Sequence, residues 1–118
     1  MTSGEGPRAH RVEGLLGLAA RARALVWGTE RVRDAVRGGE VRFAIVAADA
    51  SDNTKYKLLP LLESSGVPYI ERYDRDSLGA AIGKAGVSAI GVTGREFAAR
   101  IGAVTDAADA AAGPGTGD

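Results

Sequence analysis

The chain has 118 residues, 45% hydrophobic and only 5% aromatic, with no cysteine and a formal net charge of zero. That is the size of one domain with an aliphatic core; disulfides and thiolate metal sites are excluded, which fits a cytoplasmic protein, and no apolar run reaches the roughly 18 residues of a membrane span. The charge is uneven: residues 1–57 hold ten Lys/Arg against seven Asp/Glu and residues 58–118 hold five against eight, a modest basic lean toward a polyanion in the first half.

Residues 1–10 read as a flexible leader, and MTSGEGPRAHRVEG has no apolar stretch of the signal-peptide kind. Val12, Leu15, Leu16, Ala19 and Ala22 recur at helical spacing and predict a first helix over Arg11 to Arg23. Gly14 and Gly17 within it read as close-packing positions. Leu25-Val26-Trp27 is a brief extended piece. Gly28 or Thr29 caps a second helix that runs to Arg37 with Val32, Ala35 and Val36 inward, and Gly38-Gly39 ends it. Val41 to Ala48 is a nearly continuous apolar strand, expected to be buried on both faces. Asp49 to Asn53 is a turn and cap cluster. The helix after it contains Pro60 and is expected to kink or restart near Leu59, with Leu58, Leu59, Leu61 and Leu62 as core candidates.

Ser64-Ser65-Gly66 stops that helix, and Val67 to Ile70 is a further strand. Asp74 or Asp76 caps a short helix ending near Ile82-Gly83. Lys84 to Val87 form a loop, Ala89 to Thr93 the last strand, and Arg95 to Ile101 a final helix. Residues 103–118 read as an Ala/Gly-rich, at least partly disordered tail, in which TDAADAAA is able to extend the helix. Alternating helices and strands predict an α/β fold for residues 11–102: a three-layer α/β/α sandwich with a four-stranded mixed sheet.

The residues for catalysis are sparse, and an enzyme is not expected. The one histidine, His10, lies in the leader. Capping and turns account for Asp49, Asp52, Asp74 and Asp76 better than a metal does. Gly79, Gly83 and Gly86 do not complete a phosphate-binding loop.

The stretch Arg23 to Arg37 points elsewhere. A helix that opens on Gly28 leaves backbone N–H groups unpaired at a weakly positive end, and glycine lets a partner approach. Its outer face carries Glu30, Arg33, Asp34 and Arg37, which either pair with one another or bind. Arg21 and Arg23 are placed to serve the first helix's C-terminal dipole. Trp27, the single tryptophan, is a partly buried wall residue or a platform for a base.

Several blocks in order carry a family resemblance over Leu15 to Ile101: LLGLAARARALVWG, the helix after Gly28, AADASDNTK, LLPLLESSGVPY, SLGAAIGKAGVSAIGV and TGREFAARI. The chain resembles the archaeal large-subunit ribosomal protein "seven-Ae" family, which binds kink-turn RNA, and within it the bacterial YlxQ-like branch. The resemblance implies a non-enzymatic, RNA-binding, cytoplasmic role in translation without cofactor, metal or membrane. Structured RNA is then the partner, beside ribosomal or translation-factor proteins. It puts the groove-entering helix start on Gly28, Thr29, Glu30, Arg31 and Asp34. It puts the loop over a flipped-out nucleotide on Gly83, Lys84, Ala85, Gly86 and Val87. RNA-binding members have asparagine at the position of Glu30, glutamate at Arg31 and lysine at Asp34; Arg31, Arg33 and Arg37 are able to restore the cations from shifted positions. Ionised Glu30 only accepts hydrogen bonds. A protein-interaction module that has lost kink-turn recognition is therefore the alternative, and a small-molecule or nucleotide site a third reading.

Overall fold

The computed structural model describes residues 6–112, with side chains for residues 11–105. Among the described residues the order is α1 (Gly6–Arg21), β1 (Leu25–Trp27), α2 (Thr29–Arg37), β2 (Phe43–Val46), α3 (Asp52–Ser64), β3 (Tyr69–Glu71), α4 (Arg75–Ile82), β4 (Ala89–Val92) and α5 (Arg95–Ala112). The strands form one sheet in the order β1-β4-β2-β3. β4 is antiparallel to both β1 and β2, and β2 is parallel to β3, so the sheet is mixed. α1 packs on α4 and α5, and α2 packs on α3. Every residue of β2 and β4 is buried, as central strands covered by helices on both faces must be. The expected α/β/α sandwich is what forms.

Helix ends explain most boundary differences. α2, α3 and α4 each close through a left-handed residue, Gly39, Gly66 and Gly83, with the paired backbone bonds of a Schellman turn. α1 closes the same way on Arg23 at φ 58, with Arg23 N–H donating to Ala20 O and Ala24 N–H to Ala19 O. No glycine marks that stop, so the helix ends at Arg21 rather than Arg23, and Ala22 is exposed. At its other end α1 starts at Gly6, inside the stretch expected to be a leader. α5 runs on to Ala112 through much of the expected tail. The side chain of His10 and the GPGTGD tail fall outside the described residues.

Asp74 rather than Asp76 caps α4, its side chain accepting from Ser77 N–H at 2.7 Å, which holds the carboxyl below its usual value. Asp49 accepts from Arg75 N–H at 2.9 Å, and Ser51 caps α3, so the aspartates serve helix starts. The expected break at Pro60 does not occur: α3 is helical without interruption from Asp52 to Ser64. Pro60 and Tyr56 both lie on the exposed side of α3, where water can satisfy the carbonyl that Pro60 cannot bond. Leu58 and Leu62 are buried in the core, while Leu59 and Leu61 are half-buried.

At Gly17 and Gly79 a side chain would press on neighbouring backbone. A Cβ on Gly17 would stand 3.2 Å from Ala81 O, so α1 and α4 touch closely there, whereas Gly14 has open space around it and is not a packing position. Gly79 is buried in α4, and a Cβ there would lie 2.7 Å from Lys84 O and 3.0 Å from Gly86 N. The loop after α4 therefore folds back onto its own helix only because position 79 has no side chain.

Gly79→Ala is accordingly expected to destabilise the protein by about 1–3 kcal/mol in urea unfolding, because backbone must move. Gly14→Ala, which meets nothing, is expected to stabilise by up to about 1 kcal/mol through helix propensity. Equal midpoints for the two variants would show that the loop is not held by this close approach.

Candidate nucleic-acid interface

The pairing of β1 with β4 determines what stands beside the opening of α2. In this antiparallel ladder Trp27 is opposite Ile90, and Gly28 N–H continues it by donating to Ala89 O at 2.9 Å. The end of β1 is thus bonded to the start of β4, and the residues before β4 are the loop from Gly83. Sequence-distant segments 28–34 and 83–87 become neighbours.

Gly28 is the N-cap of α2 at φ 98 and ψ 146, with no side-chain cap bond. The first helical bond is Val32 N–H to Gly28 O at 2.9 Å. The amides of Thr29, Glu30 and Arg31 therefore form the uncapped, partially positive end of the helix. The Thr29 hydroxyl is hydrogen-bonded to that of Thr54 at 3.0 Å, and Ser51 Oγ donates to Thr54 at 3.2 Å. This hydroxyl chain ties the starts of α2 and α3 together.

Trp27 is the junction. The Arg31 guanidinium lies 4.8 Å and the Lys84 ammonium 4.5 Å from its ring centroid. Both are within cation–π range, so one indole gathers a cation from the helix and a cation from the loop. Trp27 is half-buried and packs against the core, which fits the wall role, but the same ring organises charge at the surface.

The remaining predicted residues divide clearly. Gly83, Lys84, Ala85 and Gly86 are exposed. Val87 is not: it is 1% exposed and belongs to the core, so its side chain offers nothing to a nucleotide from the loop surface. Strand β4 begins two residues later and draws the chain inward. Glu30 accepts from Lys57 at 2.8 Å and from Arg33 at 3.2 Å, so Arg33 is an internal partner rather than a spare cation. Asp34 is exposed on the next turn. Arg37 is exposed at the far end of α2, about 12 Å along the axis from Thr29, and does not join the group around Trp27.

Sequence reasoning missed Lys57, 27 residues from Glu30 and brought to it only by packing of α2 on α3. It also gave Arg21 and Arg23 a dipole role alone. In the structure they rim a cavity of about 310 Å³ beside Trp27 that Lys84, Leu25, Ile82 and Ala20 complete. The larger groove, about 640 Å³, runs along β3 and α5 at the opposite edge of the sheet. No group of three or more His, Cys, Asp or Glu able to hold a metal occurs among the described residues, nor does a helix long and apolar enough to cross a membrane.

Known proteins resemble this chain in sequence and in fold. The chain is 36% identical to the RNA-binding protein YlxQ of Bacillus subtilis (strain 168) over 87 residues, 74% of this chain and 87% of that protein. It is 36% identical to the RNA-binding protein YlxQ of Enterococcus faecium over 70 residues, 59% of this chain and 68% of that one. A solved structure of a protein of unknown function from Bacillus halodurans C superposes with a TM-score of 0.76 at 40% identity, covering 81% of this chain and 97% of that chain. The Giardia lamblia 15.5kD RNA binding protein shares the fold, with a TM-score of 0.67 at 21% identity over 88% of this chain and 93% of its own. Residues 10–101 match the ribosomal protein L7Ae/L30e/S12e/Gadd45 family, and the chain belongs to it.

Proposed function

We propose that this protein binds structured RNA, and that its target is a kinked duplex of the kink-turn kind, seated on the mouth of α2 and the loop at Lys84. The observation that carries the reading is the meeting of Arg31 and Lys84 on the Trp27 ring. It sets two cations and an uncapped helix end side by side, which is what phosphate oxygens at a bent backbone require. The relatives described as RNA-binding proteins support the same reading. No catalytic step belongs to it, and the place of action proposed is the cytoplasmic translation apparatus, beside ribosomal or translation-factor proteins.

Glu30 is the point on which the alternative turns. Lys57, hydrogen-bonded to it, and then Arg33 hold its carboxyl below the usual glutamate value. It stays ionised at neutral pH and can only accept hydrogen bonds from a purine edge. With Asp34 exposed nearby, that favours the second reading, a protein-interaction module of the same fold. Against this, Glu30 is not a bare anion: two cations accompany it.

A calorimetric titration with a kinked duplex and a straight duplex at moderate salt separates the readings. Selective sub-micromolar binding of the kinked RNA is the expected result. Equal, weak affinity for both would leave the interaction module. Lys84→Gln is expected to weaken kinked-RNA binding and to reduce the slope of log affinity against log salt by about one, because one phosphate fewer is neutralised. An unchanged slope removes Lys84 from the interface.

The sign of the Glu30 linkage is also testable. A carboxyl with a lowered folded-state value adds stability at pH above its ordinary value and loses it as pH falls through the lowered one. In Lys57→Met the carboxyl is expected to titrate at higher pH than in the wild type, seen by NMR at the Glu30 carboxyl carbon. Superimposable titration curves would mean that Lys57 does not accompany Glu30 in solution.

A further inference from the structure

We infer that the cavity between α1, β1 and α4 is a subsite for one unstacked nucleotide of an RNA strand that continues past the kinked duplex. Its base would lie on Trp27 in place of the Lys84 ammonium, and its phosphate between Arg21 and Arg23. The inference rests on the RNA-binding reading above and adds a second attachment point to it.

Three features of the cavity fit that occupant. Its volume, about 310 Å³, is at the small end of sites that take a single organic ligand. Its walls are apolar and aromatic, from Ala20, Leu25, Ile82 and Trp27, the lining a base face needs for stacking. Its rim is cationic, from Arg21, Arg23 and Lys84. Among the described residues none of these three cations has a carboxylate partner, so they remain available to phosphate.

Arg23 is also fixed in place by its backbone. It is the left-handed residue that closes α1, with both flanking amides engaged, so the guanidinium starts from a rigid turn. Lys84 is shared: it lines the cavity and touches the indole beside α2. Lys84 thereby joins the mouth of α2 to the cavity. Stacking on an indole tolerates every base, so the subsite would recognise single-strandedness rather than sequence.

The test compares one kinked duplex with the same duplex carrying a short single-stranded extension on either end, and with an abasic extension. Trp27 is the only tryptophan, so its fluorescence reports the stacking directly. One extension is expected to tighten binding about tenfold and to quench the indole beyond the abasic control. Arg21→Ala with Arg23→Asn (asparagine tolerating the left-handed turn) is expected to abolish that tightening while keeping affinity for the unextended duplex. Equal affinity and equal fluorescence for extended and abasic forms would overturn the subsite and leave the RNA-binding reading intact. Failure of wild type to prefer the unextended kinked duplex over a straight one would instead fail that reading, and the subsite with it. Quenching by adenosine monophosphate at concentrations as low as those of the extended strand would reassign the cavity to a free nucleotide and overturn the strand subsite.

Discussion

Antiparallel pairing of β1 with β4 is the constraint on which the surface depends. β1 is three residues long and lies at the sheet edge, yet its bond from Gly28 N–H to Ala89 O brings the opening of α2 against the loop that precedes β4. A parallel arrangement would carry that loop to the other end of the strand. The ladder supplies no chemistry itself. It sets a distance, and Trp27, placed at the last rung, turns that distance into a contact with both Arg31 and Lys84.

Neutral overall charge is compatible with a polyanion site because the charges are sorted by their partners. Of the acids at the mouth of α2, Glu30 is engaged with Lys57 and Arg33, while Asp34 is exposed; farther off, Asp49 is engaged with Arg75. These are surface pairs, so they set positions more than they stabilise the fold. The cations around Trp27 are left facing solvent. The local balance at the mouth of α2 is thus more positive than the composition of α2 implies.

The rest of the fold serves to hold that surface still. Gly79 lets the loop after α4 lie on its own helix, and Val87 anchors its far end in the core. Four exposed residues, Gly83 to Gly86, are held between two fixed points. Opposite them, the hydroxyl chain from Ser51 through Thr54 to Thr29 ties the start of α2 to α3. Both halves of the surface are braced from behind.

The sequence by itself determined the element order, the fold class and most of the core, because hydrophobic periodicity and helix caps are local signals. Val32, Ala35 and Val36, the apolar run of β2, and Leu58 with Leu62 all read directly as interior. The stop of α1 on Arg23 was not legible, since the turn that usually takes glycine there takes arginine. Nor was the unbroken course of α3 through Pro60, which depends on which side of the helix meets water. The candidate surface divided in the same way. Gly28 and the Lys84 loop were visible as local breaks, together with the family resemblance. Only the tertiary structure decided that Val87 turns inward, that Arg37 stands apart, and that Lys57 reaches Glu30 across 27 residues. It also joined Arg21 and Arg23 to Lys84 around one indole. Those are distances between elements, and they follow from how helices pack on the sheet rather than from any pattern along the chain.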